Sequence, residues 1–124
     1  MKAATGIAVG LMLGLNAGCA GLGALSAATG HGAVAYAAST QDWRLRWKAS
    51  DPQRAQQQAL ADCAVADCRI VLEFGPDQCG TISLGDPGFG VGLGDSPAAA
   101  ENAALSQCRA KGQNCRVAEA ECNR

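Results

Sequence analysis

The sequence predicts an α+β domain: a β-β-α-β unit used twice, its copies combined in one antiparallel sheet with two helices on one face, and disulfide-stapled. Three observations carry this prediction. A segment from Asp51 to Cys63 recurs 45 positions on, with Pro52 meeting Pro97 and Cys63 meeting Cys108. Six cysteines, Cys63, Cys68, Cys79, Cys108, Cys115 and Cys122, fall at matching places in the two copies or at their edges. The chain has 124 residues, enough for one domain, and only 4% are aromatic. Small side chains bury little area each, at roughly 25 cal/mol per Å² of apolar surface, so the core is light and covalent ties are expected to reinforce it.

The N-terminal residues read as an export signal. Lys2 gives a short positive region, and Ala3 to Leu15 an apolar stretch, shorter than the roughly 20 residues of a membrane span. It ends in Leu15-Asn16-Ala17-Gly18-Cys19, where small residues before a cysteine resemble a bacterial lipobox; Asn16 departs from that pattern. Two readings stand side by side. Residues 1–19 form a signal ending in a lipidated Cys19, or ordinary cleavage follows Ser26-Ala27-Ala28. Either leaves six cysteines, an even set suited to an oxidising compartment. The protein is therefore expected to be exported, to the periplasm or, lipid-anchored, the outer membrane, or alternatively to be secreted. Residues 20–31, rich in Gly, Ala and Ser, read as a flexible linker, and residues 32–124 as the duplicated domain, copy one about 32–78 and copy two about 79–124.

Each copy opens with a hairpin. Ala33-Val34-Ala35-Tyr36 corresponds to Thr81-Ile82-Ser83-Leu84, and Trp43 to Trp47 corresponds to Phe89 to Leu93. Ser39 to Asp42 and Gly85 to Gly88 supply the turns. A capping residue followed by Pro then starts a helix, Asp51-Pro52 in one copy and Ser96-Pro97 in the other. Ala55, Ala59, Leu60 and Cys63 form its expected buried stripe, repeated by Ala100, Ala104, Leu105 and Cys108. A third strand begins at Cys68 and again at Cys115, 47 positions on. Equivalence between copies predicts the pairs Cys63–Cys68 and Cys108–Cys115, leaving Cys79 for Cys122.

These residues resemble a known bacterial family. Gly32 to Ala37, then Arg54-Ala55 with Ala59-Leu60, then Cys63 and Cys68-Arg69-Ile70-Val71, and the second Ala-Leu-x-x-Cys and Cys-Arg-Val are similar to the domain of unknown function 4189, over roughly residues 31 to 122. The resemblance implies export and a duplicated architecture. It implies no active site.

The residues speak against several chemistries. With net charge −1, no general attraction to nucleic acid is expected. His31 is the sole histidine and reads as an edge residue, without the oriented partners of a nucleophilic triad. The cysteine gaps are longer than zinc ligand pairs use, and export favours thiol oxidation, so neither metal nor cofactor is expected. Glu119 and Glu121 are two apart and share a strand face; a glycosidase-like pair is conceivable there, but they read as a solvated face. Phe89 to Gly94 lacks the spacing of a dinucleotide loop. No catalytic residue is assigned.

The remaining candidate is a partner surface. Arg44, Arg46 and Lys48 alternate with Trp43, Leu45 and Trp47, giving a basic ladder, while Gly90 and Gly92 occupy the equivalent face of copy two as a bare backbone strip. The expectation is a non-catalytic binding domain with a protein partner in the cell envelope, in the manner of an inhibitor or immunity-type lipoprotein. The alternative is a cell-wall or surface-associated structural module. Membrane contact would be through the lipid anchor only.

Overall fold

The computed structural model describes residues 30–124. The signal, Cys19 and linker residues 20–29 lie outside the described residues. Copy one contributes β1 (His31–Ala37), β2 (Asp42–Ala49), α1 (Pro52–Cys63) and β3 (Arg69–Phe74). Copy two contributes β4 (Cys79–Asp86), β5 (Phe89–Gly94), α2 (Pro97–Lys111), β6 (Gln113–Val117) and the two-residue β7 (Glu121–Cys122). The α+β class and the β-β-α-β order of both copies match the sequence reading.

The sheet divides in two. One sheet runs β2-β1-β3 and the other β5-β4-β6, with β7 also on β4, all antiparallel. The sheets stack face to face and the helices cover opposite outer faces, in place of one sheet with both helices on a single face. The reason lies in β1, which is buried on both sides. Ala33, Ala35 and Ala37 pack on Ala55, Ala59 and Cys63 of α1. Val34 and Tyr36 point the other way, to Ile82, Leu84 and Phe89 of the second sheet, and the Tyr36 and Phe89 rings lie 4.3 Å apart. Joined edge to edge, the copies would leave that second face in water; stacked, each covers the other.

Both helices start as the sequence predicts. The Asp51 carboxylate accepts from the Arg54 N–H at 2.8 Å, and the Ser96 hydroxyl accepts from the Ala99 N–H at 3.1 Å. The buried stripes are narrower than expected. Ala55, Ala59 and Cys63, and likewise Ala100, Ala104 and Cys108, face the sheets, while Leu60 is 38% exposed and Leu105 half-buried. Spacings of four keep a residue near one helical meridian, and the leucine, one position further, rotates away.

All three predicted disulfides form: Cys63–Cys68, Cys79–Cys122 and Cys108–Cys115. Two tie a helix end to the strand that follows it. The third joins β4 to β7, where its cysteines are direct cross-strand partners.

Candidate functional site

The two copies repeat the same order of elements, and the site lies where the correspondence between them breaks. Gly32 of β1 pairs with Phe74 of β3, and the equivalent Gly80 of β4 pairs with Glu121 of β7. The Phe74 ring lies against both glycines: a Cβ on either would come within 2.6 Å of it or closer. One ring thus fills a space shared by both copies, leaving no room there for an equivalent ring from copy two. In the second copy, Leu72 is replaced by Glu119 and Phe74 by Glu121.

On the side of copy one, Leu72 and Val71 join Phe89 and Val91 in the core between the sheets. On the other side, Trp43, Leu45 and Trp47 of β2 face Glu119 and Glu121 across an open groove of about 560 Å³. Trp47 is 39% exposed and Trp43 half-buried. Gln41, Asp42 and Arg44 complete its polar lining.

The chain around the groove is firmly placed. The Thr81 hydroxyl donates to the Ala118 carbonyl at 2.7 Å, and the Ala120 N–H donates to Glu101 of α2 at 3.0 Å. Ala120 is thereby buried toward α2 with Ala100 and Cys79. Alternation along the extended chain then turns Glu119 and Glu121 the other way, into the groove. Asn123 binds the two walls together. Its side chain accepts from the Lys48 N–H at 2.7 Å and donates to the Phe74 and Gly75 carbonyls at 3.2 and 3.0 Å. At the far end, the Gln41 amide donates to the Gly85 carbonyl at 3.2 Å, joining the β1–β2 turn to β4.

The basic ladder does not form as expected. Arg44 and Arg46 lie opposite Ala35 and Ala33, on the α1 side of the sheet. Arg46 is paired with Asp62 of α1 at 2.7 Å, the only salt bridge among the described residues, and Arg44 donates to its neighbour's Trp43 carbonyl. Lys48 leaves the ladder. The register shifts beside it, its φ is +62°, and Ala49, not Lys48, resumes the helix-facing side.

The glycine strip is also no surface. Gly90 and Gly92 are buried under α2, and a Cβ on Gly92 would lie 2.0 Å from the Ala100 carbonyl oxygen. Glycine is needed here for close approach of helix to strand. His31 is half-buried in β1, which starts one residue before the expected boundary, and does not line the groove.

The sequence predicts Glu119 and Glu121 on one side as a solvated face, and the tryptophans in the core behind the ladder: Glu119 is exposed and Trp43 packs on the core between the sheets, while Trp47 is exposed and both tryptophans also line the groove. The missed signal was the comparison of copies: Leu72 and Phe74 against Glu119 and Glu121, opposite a strand carrying the chain's two tryptophans.

Fold and site define a small disulfide-linked two-sheet domain with an aromatic, carboxylate-edged groove along β2. The chain belongs to the family described as a domain of unknown function, DUF4189, whose model matches residues 31–122. It is similar to Protein Rv1269c of Mycobacterium tuberculosis, 29% identical over 82 residues, which cover 66% of this chain and 64% of that one. Protein Mb1300c of Mycobacterium bovis matches to the same extent. Uncharacterized protein Rv1813c of Mycobacterium tuberculosis is 32% identical over 77 residues, 62% of this chain and 52% of that one. The match thus spans just under two thirds of the first two relatives and about half of the third. No solved structure matches the chain.

Proposed function

We propose that this protein is an exported, non-catalytic binding domain that captures a protein partner through the tryptophan groove, as an inhibitor or immunity-type envelope lipoprotein anchored at Cys19. One observation carries the reading: the groove arises where Glu119 and Glu121 replace core-filling Leu72 and Phe74, opposite two tryptophans. Packing alone would favour apolar residues at such positions, and exposed aromatic surface with a polar rim is what binding faces share. A scaffold fixed by three disulfides loses little freedom on association. The non-catalytic reading is supported by the position of His31, the sole histidine, which lies away from the groove in a separate small pocket.

A second reading keeps the same groove. Tryptophan faces beside carboxylates also suit stacking on sugar rings, which would make the protein a cell-wall module.

Affinity capture of the oxidised protein from envelope extract, with purified sacculi in parallel, tests both. The partner reading expects one stoichiometric protein, lost with Trp47→Ala and kept with Arg44→Ala/Arg46→Ala. Retention on sacculi, lost with Trp47→Ala and without a protein partner, replaces it with the wall module. Capture indifferent to Trp47 overturns the groove as the binding face.

A further inference from the structure

We propose that the groove selects a cationic segment, an extended lysine- or arginine-bearing peptide whose basic side chain lies over tryptophan and between the carboxylates. The inference rests on the groove being the binding face.

Three observations lead to it. First, Asp42, Glu119 and Glu121 line the groove, and Arg44 is the one basic residue beside them, on the α1 side of the sheet with its guanidinium donating to the Trp43 carbonyl. None of the three carboxylates forms a salt bridge among the described residues. Acceptors in excess beside aromatic faces complement a cation, and they repel an anionic or phosphorylated ligand.

Second, the other copy provides an internal comparison. Phe89 is the residue equivalent to Trp43, and the Lys111 ammonium sits 5.0 Å from its ring centroid. Lys111 follows Cys108 by three positions at the end of α2. The residue three positions after Cys63, just past the end of α1, is the uncharged Ala66. Copy one therefore keeps the aromatic side chain and lacks the counterpart of that lysine; Arg116, which shares a second small pocket with Trp43, turns its guanidinium to the Asn114 carbonyl. Tryptophan is a better cation–π acceptor than phenylalanine, and here it is left for a cation from outside.

Third, the edge of β2 is poorly suited to pairing with another strand. The bulge at Lys48 and the charged Arg44 and Arg46 are the devices by which edge strands resist added strands. Recognition through side chains in the groove is therefore favoured over β-sheet extension.

The assay is built into the molecule, because Trp43 and Trp47 are the chain's only tryptophans and both line the groove. Their emission is followed in the oxidised protein during titration with a capped peptide of alternating lysine and threonine. A glutamate–threonine peptide and a chitin oligosaccharide serve as comparators. The expected result is a saturable emission change with the lysine peptide, at least about 10-fold tighter than with the glutamate peptide and weakened by salt. Glu119→Gln/Glu121→Gln, shown by circular dichroism and melting temperature to be folded, should weaken it about 5-fold or more.

Equal binding of the two peptides, an unchanged affinity in the double variant, or no emission response to lysine peptide overturns the cationic inference. A response to the oligosaccharide alone overturns it while leaving the groove as a binding face. Capture insensitive to Trp47→Ala would instead remove the underlying reading.

Discussion

Replacing Gly92 by alanine separates the two roles a glycine strip could have. An exposed strip meant for a partner would accept a methyl group with its fold intact. A seat for α2 would not. An alanine Cβ at 92 stands 2.0 Å from the Ala100 carbonyl oxygen and 2.4 Å from the Ala104 nitrogen. Carbon–oxygen contacts settle near about 3.3 Å, so the helix must lift by more than about 1 Å. The obstacle is backbone, which no rotamer change relieves. Lifting α2 loosens Ala100, Ala104 and Cys108, all essentially fully buried, and strains the Gln107 acceptor at the Val91 N–H (2.8 Å).

Overpacking of this kind costs about 3 kcal/mol, the upper part of the usual range, and outweighs the roughly 0.4–1 kcal/mol that glycine-to-alanine changes gain through the unfolded chain. For a domain of this size each kcal/mol moves the melting temperature by roughly 4–8 °C, so a fall of about 10–20 °C is expected. Thermal melts by circular dichroism under oxidising conditions measure it, and hydrogen exchange should place the loosened amides in α2. Leu93→Ala, on the same strand but 40% exposed, is the control and should cost about 1 kcal/mol or less. A Gly92→Ala protein melting within about 2 °C of the native one would refute the close-packed helix seat.

Asn123→Ala should destabilise by about 3 kcal/mol in a denaturant titration, since it orphans the Lys48 N–H and two carbonyls that its buried side chain serves, and Trp47 emission should shift as the groove walls part. Replacing Cys79 and Cys122 by serine should cost about 4 kcal/mol in the chain-entropy model, for a separation of 43, against about 2 kcal/mol for Cys63 and Cys68, separated by 5; melting of the two double variants ranks them. Ser83→Ala should be neutral or slightly stabilising in the same melts, because its buried hydroxyl has no partner. Asp67 is held below its ordinary value of 3.8, first by the Ser39 hydroxyl at 2.7 Å and then by the Ser39 N–H. Its contribution to stability is therefore complete above pH 3.8 and is lost as pH falls through the lowered value, so the Ser39 amide resonance should titrate below pH 3.8 and not at all in Asp67→Asn.

Local features were legible in the sequence because each is determined within a few residues. Asp51-Pro52 and Ser96-Pro97 start helices by their own hydrogen bonding, and matching cysteine positions gave two of the disulfides and left Cys79 and Cys122 for the third. What was not legible depends on how the copies meet. Alternation predicts which strand residues share a side, but not whether that side faces a helix, the other sheet or water. Gly90 and Gly92 share a side, and so do Arg44 and Arg46, yet α2 covers the first pair and leaves the second along the margin of α1. Lys48 was misplaced for a more local reason. A single bulge residue at positive φ inverts the alternation after it, and lysine is not a residue that announces that conformation.

The position of the groove follows from duplication itself. Two like units stacked sheet to sheet bring equivalent residues together, and Gly32 and Gly80, both against the Phe74 ring, are such a pair. Their shared space holds one phenylalanine ring, so residues 74 and 121 cannot both be aromatic and inward. One copy was bound to be released from core packing there, and the side chains of that copy became free to change. Residues 119 and 121 carry that freedom, and they lie against a strand whose tryptophans still have the size of core residues. The Trp43–Glu119 side and the Phe89–Leu72 side are thus the same interface built twice, closed once and left open once. A Glu119→Leu variant, which copies Leu72 and leaves residue 121 unchanged, should close the open side, raising the melting temperature and blue-shifting tryptophan emission while abolishing capture. Closure without loss of binding would place the partner elsewhere on the domain.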